Sequence, residues 1–105
     1  MSQYVMVYFG GNPPATPEEG QAHFAKYKEW LAGLGDAVVS PANPLKTTHT
    51  ITPDTKVTIG GQSTMSGFSI VKADSIEAAV EMAKSCPFLE IGGTMEVSEL
   101  VEMSI

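Results

Sequence analysis

Tyr4-Val5-Met6-Val7-Tyr8-Phe9 is an unbroken apolar run, closed by Gly10-Gly11-Asn12-Pro13-Pro14. Side chains of a strand alternate between its two faces, and here neither alternate set is polar. One set is Val5, Val7 and Phe9; the other is Tyr4, Met6 and Tyr8. A short apolar run that ends in a glycine-proline loop reads as a strand buried on both sides. Helices that pack on a sheet from one side cover only one of those sets, so the other set needs a second cover. Another copy of the chain supplies it most simply.

Outward from this strand, Thr16-Pro17-Glu18-Glu19 offers a capping hydroxyl, a proline at the first helical position and a carboxylate that can reach back to the cap amide. Phe24, Tyr27, Leu31 and Leu34 recur at helical spacing, and Gly33 and Gly35 provide the stop, so a helix is expected over 17–34. Ala37-Val38-Val39-Ser40 is a short strand expected to end at Pro41, which has no amide hydrogen for a ladder; residues 41–44 then form a loop. Residues 47–52 and 56–59 are rich in β-branched side chains and flank Pro53-Asp54-Thr55, the pattern of a hairpin. Residues 66–73 form another strand, with Phe68 and Ile70 opposite in direction to Ser69 and Val71. Asp74 and Glu77 repeat the cap spacing ahead of the apolar stripe Ile76, Ala79, Val80 and Ala83, and Pro87 stops that helix. Residues 93–103 form a last strand, in which Met95 and Val97 alternate with Thr94, Glu96 and Ser98.

The order is strand-helix-strand, hairpin, strand-helix-strand. It predicts an α+β domain of ferredoxin-like βαββαβ type with an extra β-hairpin, its antiparallel sheet carrying both helices on one face. One domain spans residues 1–105, working as a homodimer with a cleft between sheet, helix and partner. Hydrophobic residues at 43% and charged residues at 17% exclude disorder of the highly charged kind. A net charge of −6 repels phosphate backbones and anionic lipid over a Debye length of about 8 Å, so neither nucleic acid nor membrane is an expected partner. The lone Cys86 cannot close an internal disulfide, the N-terminus has no basic leader, and no apolar stretch approaches the length of a bilayer span. The expected location is the cytoplasm.

Among residues able to do chemistry, His23 stands out, because imidazole changes charge near neutral pH. Its helical neighbours are Tyr27 and Trp30, at the border of the apolar stripe. His23 therefore either faces a cleft as a proton carrier, with Tyr8, Tyr27 or Ser69 orienting a ligand, or is a half-exposed helix histidine. His49 lies on a hairpin strand, where a polar side chain on an exposed edge is ordinary. Two distant histidines and one cysteine fit no metal-ligand spacing, so neither metal nor cofactor is expected. Cys86 precedes Pro87 at a helix C-terminus, where the dipole raises a thiol pKa, and reads as packing. The Gly-Gly pairs match no phosphate loop, and no serine sits in a nucleophile elbow.

The chain resembles the YCII-related family. The resemblance rests on the order and spacing of Tyr4-Val5-Met6-Val7-Tyr8, Tyr27-Lys28-Glu29-Trp30-Leu31-Ala32-Gly33-Leu34-Gly35 leading into Ala37-Val38-Val39, and Pro44-Leu45 before the hairpin. It continues through Gly67-Phe68-Ser69-Ile70-Val71, residues 78–83 running into Cys86-Pro87, and Gly93-Thr94-Met95-Glu96-Val97. It implies ferredoxin-like domains paired as a dimeric α+β barrel. The hairpin-bearing branch of that family carries Asp-Gly-Pro-Phe where this chain has Gly60-Gly61-Gln62-Ser63-Thr64. Another branch pairs a histidine early in the first helix with an aspartate before the proline that ends the second helix; His23 lies near the first position, and Cys86 stands where that aspartate would be. The expectation is a small-molecule protein of undetermined reaction, either a cofactor-independent lyase or isomerase using His23 at the dimer cleft, or a non-catalytic dimeric binding or regulatory module. A cofactor-free oxygenase rests on fold analogy alone.

Overall fold

The structure is a computed structural model, and it describes residues 1–103. Strand β1 (Ser2–Gly10) pairs antiparallel with both β5 (Met65–Ala73) and β6 (Gly93–Glu99), and β2 (Val38–Pro44) pairs antiparallel with β5. The sheet order is β2-β5-β1-β6, the split βαβ arrangement expected from the element order. The inserted hairpin, β3 (His49–Ile51) and β4 (Val57–Ile59), forms a separate two-stranded sheet.

Both helices, α1 (Pro17–Leu34) and α2 (Ile76–Lys84), lie on one face. Tyr4 and Met6 of β1, Val71 and Ala73 of β5, and Ala79 and Ala83 of α2 form the buried core, and Trp30 and Leu34 of α1 pack against it. The small side chains of Ala79 and Ala83 let α2 sit close to the sheet. Trp30 Nε1 donates to the Met82 carbonyl at 3.0 Å and ties the two helices together. The tyrosine-methionine set of β1 is thus the one under the helices. Val5 opposite Ile70 and Val7 opposite Phe68 line the other face, where all four are only partly buried. The molecule measures 44 × 43 × 18 Å, the thickness of one sheet with one helix layer.

Several local expectations change. Strand β2 does not stop at Pro41 but runs through it to Pro44, because β2 is an edge strand whose register shifts there, so the missing amide hydrogen interrupts no ladder bond. The cap of α2 is Ser75, whose hydroxyl accepts from the Ala78 amide, not Asp74. Thr16 caps α1 as expected, accepting from the Glu19 amide at 3.2 Å, while the Glu19 carboxylate accepts from the Ala15 amide instead of the cap's own. Pro87 opens a 3-10 turn over Pro87–Ile91, and the last strand ends at Glu99. Phe24, expected in the core stripe of α1, is 55% exposed with the Lys28 ammonium 4.9 Å from its ring centre.

Candidate functional site

In the β2–β5 ladder, Ser40 lies opposite Ile70 and Asn43 opposite Phe68, so Pro41 and Ala42 together face Ser69 alone. This is a bulge, and it re-aims a carbonyl that a regular ladder would have consumed. The Pro41 carbonyl accepts from the Ser69 hydroxyl and from the Tyr27 hydroxyl, the latter at 3.2 Å. Tyr8 Oη is 2.6 Å from Ser69 Oγ and 3.0 Å from Tyr27 Oη, and Tyr27 Oη is 3.1 Å from Ser69 Oγ. Three hydroxyls from β1, α1 and β5 thereby meet around one β2 carbonyl. Ser69 is fully buried and Tyr8 nearly so. Burial holds the Tyr8 hydroxyl protonated far above the usual tyrosine range, with the Ser69 hydrogen bond pulling the other way.

A cavity of about 320 Å³ opens beside this cluster. Tyr8, Tyr27 and His23 line it together with the rings of Phe24 and Phe88. His23 and Tyr27 are one helical turn apart on α1, which places both side chains on the same face. Phe88, from the 3-10 turn, meets Tyr8 edge-on with ring centres 5.1 Å apart. Its ring fits a slot left by glycines: a Cβ on Gly93 would lie 2.2 Å from it, and one on Gly11 2.9 Å. The Asn43 amide is held by Ser40 Oγ at 2.9 Å and the Phe68 carbonyl at 3.1 Å, which fixes the β2 wall. Cys86, next to the turn, is buried, and burial pushes its thiol up to about 11.

Of the residues singled out from sequence, Tyr8, Tyr27 and His23 reach one cavity. Ser69 stands behind them, hydrogen-bonded to both tyrosines but absent from the wall. His49 stays on the hairpin, its Nδ1 3.1 Å from the Thr47 carbonyl. Among the described residues no group of His, Cys, Asp and Glu side chains is placed to hold a metal, and no helix is long and apolar enough to cross a membrane. Sequence reasoning missed Phe88, Asn43 and the Pro41 carbonyl. Only the last had a signal, a proline within a run otherwise suited to a strand.

The YCII-related domain model matches residues 4–104. The chain belongs to the YCII-related domain family. Comparison with curated proteins gives no match. Among solved structures, this YCII-related chain is similar to 5-chloro-2-hydroxyhydroquinone dehydrochlorinase from Burkholderia phenoliruptrix AC1100, determined as a complex with 2,5-dihydroxybenzoquinone. The two share 17% identity over 95% of each chain, with a TM-score of 0.59, a likeness of fold.

Proposed function

We propose that this YCII-related chain binds a small, flat, oxygenated organic molecule in the cavity beside Tyr8 and Tyr27, and moves a proton on it with His23 as a cofactor-independent lyase or isomerase. The observation that carries the reading is the pocket itself: aromatic rings form its walls, and imidazole and phenol groups converge on it. Its volume of about 320 Å³ falls at the small end of the range for ligand sites. Imidazole is the side chain best matched to proton transfer near neutral pH. The flat, oxygenated 2,5-dihydroxybenzoquinone bound to the similar dehydrochlorinase supports the same ligand class.

The test is titration of hydroquinone, which is uncharged at neutral pH, into the wild type and a His23→Ala variant, followed by halide release or solvent-deuterium incorporation with chlorinated hydroquinones and cyclic enones. The expected outcome is that His23→Ala keeps binding but loses proton transfer by about 10²–10⁴-fold. Equal rates in both proteins would reject His23 as the proton carrier. A second reading, a binding or regulatory module without catalysis, is favoured by the cavity lining, which includes no Asp or Glu to serve as a partner to His23.

The proposal includes a homodimer formed through the open face of the sheet, where Val5, Val7, Phe68 and Ile70 remain partly exposed. A Val7→Glu variant tests it by light scattering: a monomer is expected, and an unchanged mass would place the contact elsewhere.

A further inference from the structure

The hydroxyl cluster has a direction, which follows from counting protons. Ser69, Tyr8 and Tyr27 bring one hydroxyl proton each, and the Pro41 carbonyl brings none. Ser69, fully buried, gives its proton to that carbonyl. Tyr8 has its shortest contact, 2.6 Å, with Ser69 Oγ, and its proton goes there. Tyr27 is left with a choice among Tyr8 Oη at 3.0 Å, Ser69 Oγ at 3.1 Å and the Pro41 carbonyl at 3.2 Å. None of these acceptors needs it. The carbonyl already has Ser69, Ser69 Oγ already has Tyr8, and the Tyr8 proton is already placed. The Tyr27 proton is therefore the one in the cluster that can turn to a ligand without leaving a buried donor unpaired.

The rest of the wall narrows what that ligand is. No Lys or Arg is among the lining residues, and the chain as a whole carries −6, so a carboxylate or phosphate would enter with no permanent counter-charge, His23 being the one lining group able to take up a positive charge, and against the repulsion of the whole chain. A neutral carbonyl asks only for a donor. Phe24 and Phe88 accommodate a flat ring beside it.

We infer that Tyr27 is the specificity-determining donor of this pocket, selecting uncharged aromatic or conjugated carbonyl compounds over carboxylates, with Ser69 and Tyr8 as positioning residues that hold the proton chain in its direction. The inference rests on the reading of this cavity as the ligand site and adds the chemical class that it accepts.

Three compounds of nearly one shape test it: acetophenone, α-methylstyrene, in which a methylene replaces the carbonyl oxygen, and benzoate. Binding is followed by NMR shifts of cavity residues, and the acetophenone carbonyl stretch by isotope-edited infrared difference spectroscopy. Acetophenone is expected to bind more tightly than α-methylstyrene by about 3- to 10-fold, as one hydrogen bond allows, with benzoate weakest and the carbonyl band moved to lower frequency. Tyr27→Phe leaves the Tyr8–Ser69–Pro41 chain intact. It should erase the acetophenone advantage and return the band to its unbonded position while α-methylstyrene binding stays unchanged. Ser69→Ala, which makes Tyr27 the only cluster donor to the Pro41 carbonyl, should move the band part of the way back. Equal binding of acetophenone and α-methylstyrene, or a shifted band that survives Tyr27→Phe, overturns the role of Tyr27 while leaving the site standing. No shift of any cavity residue with any of the three compounds removes the site and the inference together.

Discussion

Replacing Ser69 with alanine deletes the hydroxyl at the centre of the site, yet the protein should lose little stability. Tyr8 can turn its proton to Tyr27 Oη at 3.0 Å, and Tyr27 can pass its own to the Pro41 carbonyl at 3.2 Å. Every proton still has an acceptor, and the net loss is one hydrogen bond, about 1 kcal/mol. Tyr27→Phe should cost about 0.5–1 kcal/mol for the same reason, since Tyr8 keeps Ser69 at 2.6 Å. The double variant differs in kind. Tyr8 then has neither partner, and an unpaired buried hydroxyl costs about 1–3 kcal/mol beyond the bonds lost. The lower half of that range applies, because Tyr8 borders the cavity and a water can approach it, and Pro41 lies on the exposed edge strand. The two single variants lose one hydrogen bond each and the double variant all three, so the double-mutant cycle should show a coupling of about 2–3 kcal/mol, the third bond plus the unpaired hydroxyl. The assay is urea denaturation at 25 °C of the four proteins with their m-values compared, each kcal/mol appearing also as about 4 °C in melting temperature. Additivity within about 0.5 kcal/mol would refute the view that the hydroxyls form one re-routable network.

Gly93→Ala should destabilise the protein by about 1–3 kcal/mol and weaken ligand binding, since the added Cβ would lie 2.2 Å from the Phe88 ring and must push it from the cavity wall; a variant with wild-type melting and binding would contradict this. Thr16→Ala removes the hydroxyl that accepts from the Glu19 amide and should cost about 1 kcal/mol, measured by the same denaturation. The Cys86 thiol, moved from 9.0 to about 11 by burial, should react with iodoacetamide at pH 8 about 100-fold more slowly in the native protein than in urea, and equal rates would argue against its burial. The linked effect on stability has a definite sign: between pH 9.0 and about 11 the folded chain holds a proton that the unfolded chain has lost, so this contribution is fully present below pH 9.0 and disappears as pH rises toward 11. Tyr8, raised by burial as well, acts in the same direction above the usual tyrosine range.

Much of the architecture was legible along the chain because it rests on short-range rules. Thr16-Pro17 starts a helix wherever it occurs in such a context, alternation in residues 93–99 marks a strand, and the doubly apolar run at residues 4–9 demanded central placement. The four candidate side chains, His23, Tyr8, Tyr27 and Ser69, were also named along the chain, the tyrosine in a doubly apolar strand and the imidazole one turn from Tyr27 being chemically conspicuous; that Ser69 stands behind the cavity wall was not. Proline at position 41 was misread because its effect depends on context. A proline ends a central strand, whereas on an edge it sits at a bulge, and only the pairing of β2 with β5 decides between the two. The choice of which face of β1 lies beneath the helices was equally open, since both sets of side chains are apolar and only the packing of Ala79, Ala83, Trp30 and Leu34 selects Tyr4 and Met6. Residue order determined the fold class, the helix starts and the identity of the chemically able side chains. The meeting of Tyr8, Tyr27, Ser69 and the Pro41 carbonyl within hydrogen-bond distance was decided by tertiary structure alone, because hydrogen bonding acts over about 3 Å between groups that the chain keeps up to 61 residues apart.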